Sequence, residues 1–305
     1  MSSIASTTHA KNSEKVYTTE RVTHQIVAAL EQGVRPWTKP WDIGQVSKPL
    51  RSNGQAYQGI NVLMLWNAAI EGGYLAQTWM TYKQAKELGA QVRKGSHGSQ
   101  VLFASTVNKT DTDETTGEEI ERQISFMKSY TVFNAEQIEG LPEHFYADPS
   151  PVENPMQRHE RAELFFKAIG ADIRHGGHRA FYSSAKDYIQ MPDFEVFKDP
   201  EAYYSTLAHE AIHWTGPRLS RDFDSKRWGD SGYAREELVA ELGSAFLAAD
   251  LGLYLEPRED HVSYINDWLL VLKSDKRAIF QAAAHAQRAV DYLHRCQQRW
   301  MQQAA

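Results

Sequence analysis

Residues 203–215 read YYSTLAHEAIHWT, from Tyr203 to Thr215, and the apolar positions of this run recur at helical spacing. Inside it stands His209-Glu210-Ala211-Ile212-His213. On an α-helix, residues four apart lie one above the other on one face, so two imidazoles placed this way can take adjacent corners around one metal ion. Glu210 sits beside them, where a carboxylate can accept a proton during metal-assisted hydrolysis. Two ordinary helix histidines with a surface glutamate give the same five letters. The pattern therefore gains weight only if the rest of the chain completes it.

Completion requires a third protein ligand. The stretch YAREELVAELGSAFLAADLG, from Tyr233 to Gly252, reads as a strong helix and offers Glu236, Glu237 and Glu241. Glu237 and Glu241 are four apart, so one can bind metal while the other accepts the free ring N–H of a ligand histidine. Their neighbours Leu238, Val239, Leu242, Ala245 and Phe246 make much of this helix apolar, and carboxylates on a packed helix are few without a reason. Glu237 is the expected ligand and Glu241 the alternative. In the following stretch HVSYINDWLLVLK, Tyr264 and His261 are candidates to stabilise an oxyanion, although a tyrosine on an amphipathic helix is more often core. The His/His/Glu set favours zinc, with manganese or cobalt as alternatives.

The chain has 305 residues, 42% hydrophobic and 24% charged, enough for two soluble globular domains. No apolar run approaches the ~20 residues of a membrane span, and the first residues, MSSIASTTHAKNSEK, lack the apolar core of a signal peptide. The single cysteine, Cys296, cannot form an internal disulfide. Together these features lead us to expect a cytoplasmic protein without membrane partners. The net charge of −6 is unevenly spread: residues 15–108 carry ten Lys/Arg against five Asp/Glu, and residues 109–141 carry three against eight. A basic body beside an acidic remainder suggests different partners for the two parts.

In chain order, residues 1–15 read as a disordered leader and residues 16–141 as a first domain. Helices are expected from Thr18 or Thr19 to Gly33, from a capping Asn61 to Gly72-Gly73, and from a capping Thr81 to Gly89. The period then changes to two. QVRKGSHGSQVLFASTV and ISFMKSYTVFNAEQI predict a hairpin joined by an acidic mobile loop, KTDTDETTGEEIER, at 109–122. Residues 142–155 are proline-rich and read as a linker. The second domain, 156–305, predicts a helix ending at Gly170 and two short strands in RAFYSS and DYIQMP. Pro192 limits the second of these or places it at an edge, and as an edge strand it could carry an extended peptide. The metal helix follows, closed by Gly216-Pro217, and three further helices complete the chain. The fold class is α+β: an α+β first domain and a mainly helical second domain with a small sheet.

The first domain has no nucleophile or metal pattern, so its chemistry is binding. Arg35, Trp37, Lys39 and Trp41 alternate cation with ring, and Lys48, Arg51, Arg93 and Lys94 sit in turn-rich loops with Asn53 and Tyr57. Cations for phosphate and flat rings for unstacked bases are what single-stranded DNA requires. Trp66 and Trp79, flanked by Leu, Met and Thr, read instead as core. For Trp37 and Trp41 both readings stand.

HEAIHWTG, the 233–252 helix, HVSYINDWLLVLK and AFYSSAKDYIQMP resemble the C-terminal zincin-like peptidase domain of plasmid antirestriction proteins of the ArdC type, from about Met156 onward. RPWTKPW, RSNGQAYQGIN, TWMTYKQAKELGAQVRKGSHGSQVLF and YTVFNAEQIEGLP resemble the single-stranded-DNA-binding N-terminal domain of the same family, which also occurs in conjugative primases. In zincins with a glutamate ligand an ExxxD-like pattern follows the metal helix; here Glu237-x-x-x-Glu241 has Glu in place of Asp. The resemblance implies a zinc metallopeptidase-like protein that binds single-stranded DNA and protects incoming conjugative plasmid DNA from host restriction. Restriction-enzyme subunits or other DNA-bound proteins would be its targets. Two other readings stand beside it: a non-catalytic DNA-occluding protein with a structural or regulatory metal, and a plasmid priming accessory factor.

Overall fold

The computed structural model describes residues 19–37, 47–112, 119–146, 155–221, 231–253 and 262–304. Helix α1 runs across 19–31 and closes where Gly33 takes a φ of +75°. The Gly33 N–H donates to Leu30 O and the Val34 N–H to Ala29 O, a paired closure that a residue without Cβ enters freely. Helix α2 (Ile60–Gly72) starts after Gly59, not at a capping Asn61. The Asn61 amide instead copies a strand edge. It donates to Leu102 O at 2.8 Å and accepts from Leu102 N at 2.7 Å, tying α2 to the sheet. Helix α3 (Tyr82–Glu87) starts as expected, with a capping box between Thr81 and Gln84.

Strands β1 (Leu50–Arg51), β2 (Thr78–Met80), β4 (Ser99–Thr112) and β5 (Glu119–Asn134) form one sheet in the order β1-β2-β5-β4. Between them, β3 (Gln91–Val92) pairs separately with β6 (Ile138–Glu139), so the first predicted strand breaks at a turn around Gly95. The expected loop at 109–122 is mostly strand. The β4–β5 register runs without a break from Ser99↔Val132 to Thr112↔Glu119, and the residual connection, 113–118, lies outside the described residues. Ladder bonds need no apolar side chain, and Thr106, Thr110 and Thr112 favour extended backbone. The leader at 1–15 also lies outside the described residues.

Helix α4 (Pro155–Ala168) leads into a three-stranded sheet of β7 (Asp172–His175), β8 (Phe181–Ser183) and β9 (Tyr188–Met191). The order is β7-β9-β8, so DYIQMP forms the centre of the sheet and not its edge. Pro192 follows the strand and costs it no ladder bond. The edges belong to β7 on one side and, on the other, to β8. Its turn is pinned to the next helix, because Arg218 forks onto Asp187 at 2.9 and 2.6 Å while lying 3.7 Å above the Trp214 ring.

Helix α5 (Pro200–Arg218) is capped by Asp199, which accepts from the Ala202 N–H at 2.7 Å, and takes Pro217 into its last turn instead of stopping before it. Helix α6 (Ser231–Leu251) packs on it at close range. A Cβ added to Gly243 would stand 2.8 Å from the Ile212 side chain, so glycine sets the approach of the two helices. Helices α7 (Val262–Ser274) and α8 (Ala278–Ala304) complete the bundle.

One buried cluster joins both halves of the chain, from Trp37, Leu63 and Trp79 to Phe165, Phe246 and Trp268. Polar ties cross the same boundary: Lys48 Nζ to Asp250 Oδ2 at 2.7 Å, Thr23 Oγ1 to Lys276 O at 2.7 Å, and Gly59 N to Gln287 Oε1 at 3.2 Å. Trp66 and Trp79 are core, as expected. Among the described residues no helix is long and apolar enough to cross a membrane.

Candidate metal centre

The HExxH face of α5 meets the start of α6. His209 Nε2 and His213 Nε2 lie 3.1 Å apart, His209 Nε2 is 3.4 Å from Glu237 Oε2, and His213 Nε2 is 3.5 Å from Glu237 Oε1. Ligand atoms about 2.1 Å from a tetrahedral ion are separated by about 3.4 Å. The three side chains therefore fit one ion, and they form the metal-type group found among the described residues. His209 and Glu237 are 4% and 7% exposed, so this convergence is held in the interior and is not an accident of mobile surface chains.

A second layer fixes His213. Its Nδ1 lies 3.0 Å from Glu236 Oε1, and Arg221 forks onto Glu236 at 2.8 and 2.7 Å. The same guanidinium reaches Ile212 O at 2.7 Å and Thr215 Oγ1 at 3.0 Å, locking it to the end of α5. Glu241, the alternative ligand, stands one turn or about 6 Å further along α6. It accepts instead from Trp37 Nε1 at 3.1 Å and Arg35 Nη1 at 3.4 Å. The expected ligand–acceptor pair of Glu237 and Glu241 is thus replaced by Glu237 and Glu236.

Charge agrees with geometry. Burial works against a charged His213, yet Glu237, the Glu236 hydrogen bond and Glu210 outweigh it and raise its pKa to about 9. Burial likewise opposes ionisation of Glu237, and the charge of His213 with the His209 hydrogen bond pushes it down to about 2. The imidazoles and carboxylates thus hold one another's charge, and a divalent cation would take the place of the proton on His213.

A cleft of about 730 Å³ opens over these groups and is lined by Glu210 and, in and beside β8, by Ala180, Phe181, Tyr182 and Ser184. Tyr264 lines it, with its hydroxyl 3.1 Å from that of Tyr233. Burial and then the Tyr264 hydrogen bond push the Tyr233 phenol well above its usual range. His261 lies outside the described residues.

A family model described as zincin-like metallopeptidase matches residues 160–285, and one described as the N-terminal domain of anti-restriction factor ArdC matches residues 17–133. The crystal structure of the metal-free antirestriction ArdC protein of plasmid R388 superposes with a TM-score of 0.77 at 46% identity, covering 92% of this chain and 98% of that one. The chain belongs to the ArdC family of antirestriction proteins. The Mn(II)-bound structure of the R388 protein superposes with a TM-score of 0.75 at 45% identity, over 92% of this chain and 97% of that one. An uncharacterized protein, y4eC, of Sinorhizobium fredii is 44% identical over 90% of this chain and 91% of its own length. A DNA primase TraC of Escherichia coli is 38% identical, but this chain spans only 28% of its length.

The DNA-binding candidates separate into three groups in this ArdC-family fold. Arg35, Trp37, Lys48 and Tyr57 are inside: Trp37 is 1% exposed, Lys48 is bound to Asp250, and Tyr57 lies under Arg51, whose guanidinium is 5.2 Å above the ring. Arg35 and Trp37 are taken by Glu241, which corrects their assignment as an open nucleic-acid surface. Arg51, Asn53, Arg93 and Lys94 are exposed. Lys39 and Trp41 lie outside the described residues. Sequence reasoning missed roles for Glu236, Arg221 and Tyr233. The adjacent Glu236-Glu237 pair was a usable signal for the first, whereas nothing local distinguishes Arg221 in its polar loop.

Proposed function

We propose that this protein acts as a divalent-metal-dependent peptidase, directed to its targets by single-stranded DNA, that protects plasmid DNA entering a restricting host. The observation that carries the peptidase half is the convergence of His209, His213 and Glu237 beneath the free edge of β8, with Glu210 beside them. Zinc or manganese held there would supply a Lewis acid toward a carbonyl and water. Glu210 accepts the proton of the attacking water on its carboxylate and returns it to the leaving amine. Glu236 and Arg221 keep the His213 ring aimed into the cleft. The β8 edge offers its ladder groups to an extended peptide, while Phe181 and Phe197 form an apolar wall. Tyr264 and Tyr233 line the same cleft and are the candidate hydroxyl donors to a developing oxyanion.

For DNA, the exposed groups are Arg51, Arg93 and Lys94, together with one face of the β4–β5 ribbon. There Phe103 and Tyr130 are 49% and 44% exposed with centroids 6.4 Å apart, and Lys128 stands opposite Phe103 in register. Stacking on such rings is worth about 1–3 kcal/mol per base, and each phosphate-bound cation steepens the salt dependence by about 0.7.

The test pairs two assays on wild type and Glu210→Ala: cleavage of a peptide library with added Zn(II) or Mn(II), and plasmid transfer into a restriction-proficient recipient. The expected result is a 100- to 10,000-fold loss of cleavage, in the range of about 10²–10⁴ for a general base, together with lost protection. Protection that survives Glu210→Ala but not Phe103→Ala with Tyr130→Ala would assign the function to DNA shielding.

A further inference from the structure

Glu241 is the buried carboxylate of α6 that the metal group leaves aside, and it is 4% exposed. It sits one turn beyond Glu237 and is bonded to Trp37 Nε1 and to Arg35. A second route joins the same two places through rings. Trp37 meets Trp268 edge-on with centroids 5.9 Å apart, and Trp268 stacks on Tyr264 at 6.3 Å and 22°. The Tyr264 hydroxyl is 3.1 Å from that of Tyr233, and Tyr233 stands one turn before Glu237 on the same face of α6, where both line the cleft. Trp37 is therefore tied both to the helix that carries the carboxylate ligand and to the phenol beside that ligand.

We propose that Trp37 is a positioning residue of the metal centre. By holding Glu241 and the Trp268–Tyr264–Tyr233 stack, it sets α6 and the Tyr233 phenol so that Glu237 faces His209 and His213. A carboxylate already fixed in its binding orientation loses less freedom when an ion arrives, so binding tightens. The linkage is reciprocal: an ion at Glu237 strengthens the docking of the Arg35–Trp37 segment by the same factor. The inference rests on the metal reading above and extends it to a residue some 170 positions upstream of the HExxH pattern, on the numbering alone. A merely space-filling Trp37 would lower stability on substitution and leave the metal untouched.

Mn(II) affinity of the whole chain, measured by competition with a metal-responsive dye, separates the two. Trp37→Ala and Glu241→Gln are expected to weaken binding about 10-fold, within the range for groups behind metal ligands. Trp37→Phe keeps a ring against Trp268, loses only the N–H, and is expected to weaken binding about 3-fold. The electron paramagnetic resonance line shape of bound Mn(II) should change in all three. Trp79→Phe, equally buried at 1% exposure but remote from this chain of contacts, should lower the unfolding midpoint and leave affinity and line shape as in wild type. Unchanged affinity and line shape in Trp37→Phe and Glu241→Gln overturn the inference, and these two decide the matter if Trp37→Ala does not fold. A wild-type chain that takes up no Mn(II) or Zn(II) removes the metal reading itself, which is a different failure.

Discussion

On α5, two imidazoles that share a helix face also share a target, and their Nε2 atoms stand 3.1 Å apart. Of the cations and rings between Arg35 and Lys48, the three described ones go separate ways: Arg35 and Trp37 reach Glu241, and Lys48 reaches Asp250. The difference lies in what fixes each pattern. Four-residue spacing inside a helix is a rigid local geometry that survives any tertiary arrangement. Alternation in irregular backbone fixes nothing, so the second half of the molecule was free to recruit those side chains as its own core.

The comparison can be broken most sharply at the two glutamates of α6. Glu237→Ala should remove a full ligand, a loss of about 3–5 kcal/mol if three ligands share an apparent ~10–16 kcal/mol, and elemental analysis should find no stoichiometric metal. Glu241→Gln should still carry one equivalent at saturating metal. An empty Glu241→Gln beside a loaded Glu237→Ala would reverse the assignment.

Next in size is the contrast between Lys48 and Arg51. Lys48→Met takes the buried ammonium from Asp250, whose side chain is 24% exposed and keeps His294, and should cost about 1–2 kcal/mol in urea unfolding. Arg51→Met, on the surface, should stay within about 0.5 kcal/mol but reduce the salt dependence of DNA binding. Equal stability losses would mean that the segment is not divided between core and surface as described.

Glu236→Gln tests the layer behind the ligands and should weaken metal binding about 10- to 100-fold, about 1.4–2.7 kcal/mol, without removing a ligand. Full affinity in this variant would show that Arg221 and Glu236 only close the helix end.

The smallest effect is a pH dependence. Burial works to raise the Asp250 carboxyl, but the His294 hydrogen bond and the Lys48 charge hold it below its usual range. Its contribution is therefore present above about pH 4, its unfolded value, and is lost as pH falls through the lowered folded value. The stability gap between wild type and Asp250→Asn should shrink between pH 6 and pH 3. A gap that widens in acid would place the proton elsewhere.

Much of the fold was legible because it is periodic. The helices, the cap at Thr81 and the closure at Gly33 follow from spacing and local chemistry, as do His209, Glu210 and His213. Three features were not legible, each for a physical reason. The order β7-β9-β8 depends on which strand pairs with which, and a short run such as DYIQMP reads the same at the centre or the edge. The length of β4 and β5 is carried by backbone bonds that leave no apolar signature. The choice of Glu236 as the partner of His213 is made by Arg221, whose approach depends on how the chain returns to α5.

The tie between Trp37 and Trp268 also constrains how the molecule can be made. At about 5–20 residues per second, the ribosome needs roughly 10–50 s to deliver the second ring after the first. Throughout that interval the face of the first half that ends in Trp37 has no surface of α6 or α7 to meet. Contacts such as Thr23 with Lys276 and Gly59 with Gln287, 253 and 228 residues apart, must wait for the turn before α8 and for α8 itself. Such distant closures are slow to form. A chain cut at 147–154 would yield two pieces that each display, as bare apolar surface, what the intact protein keeps at its centre.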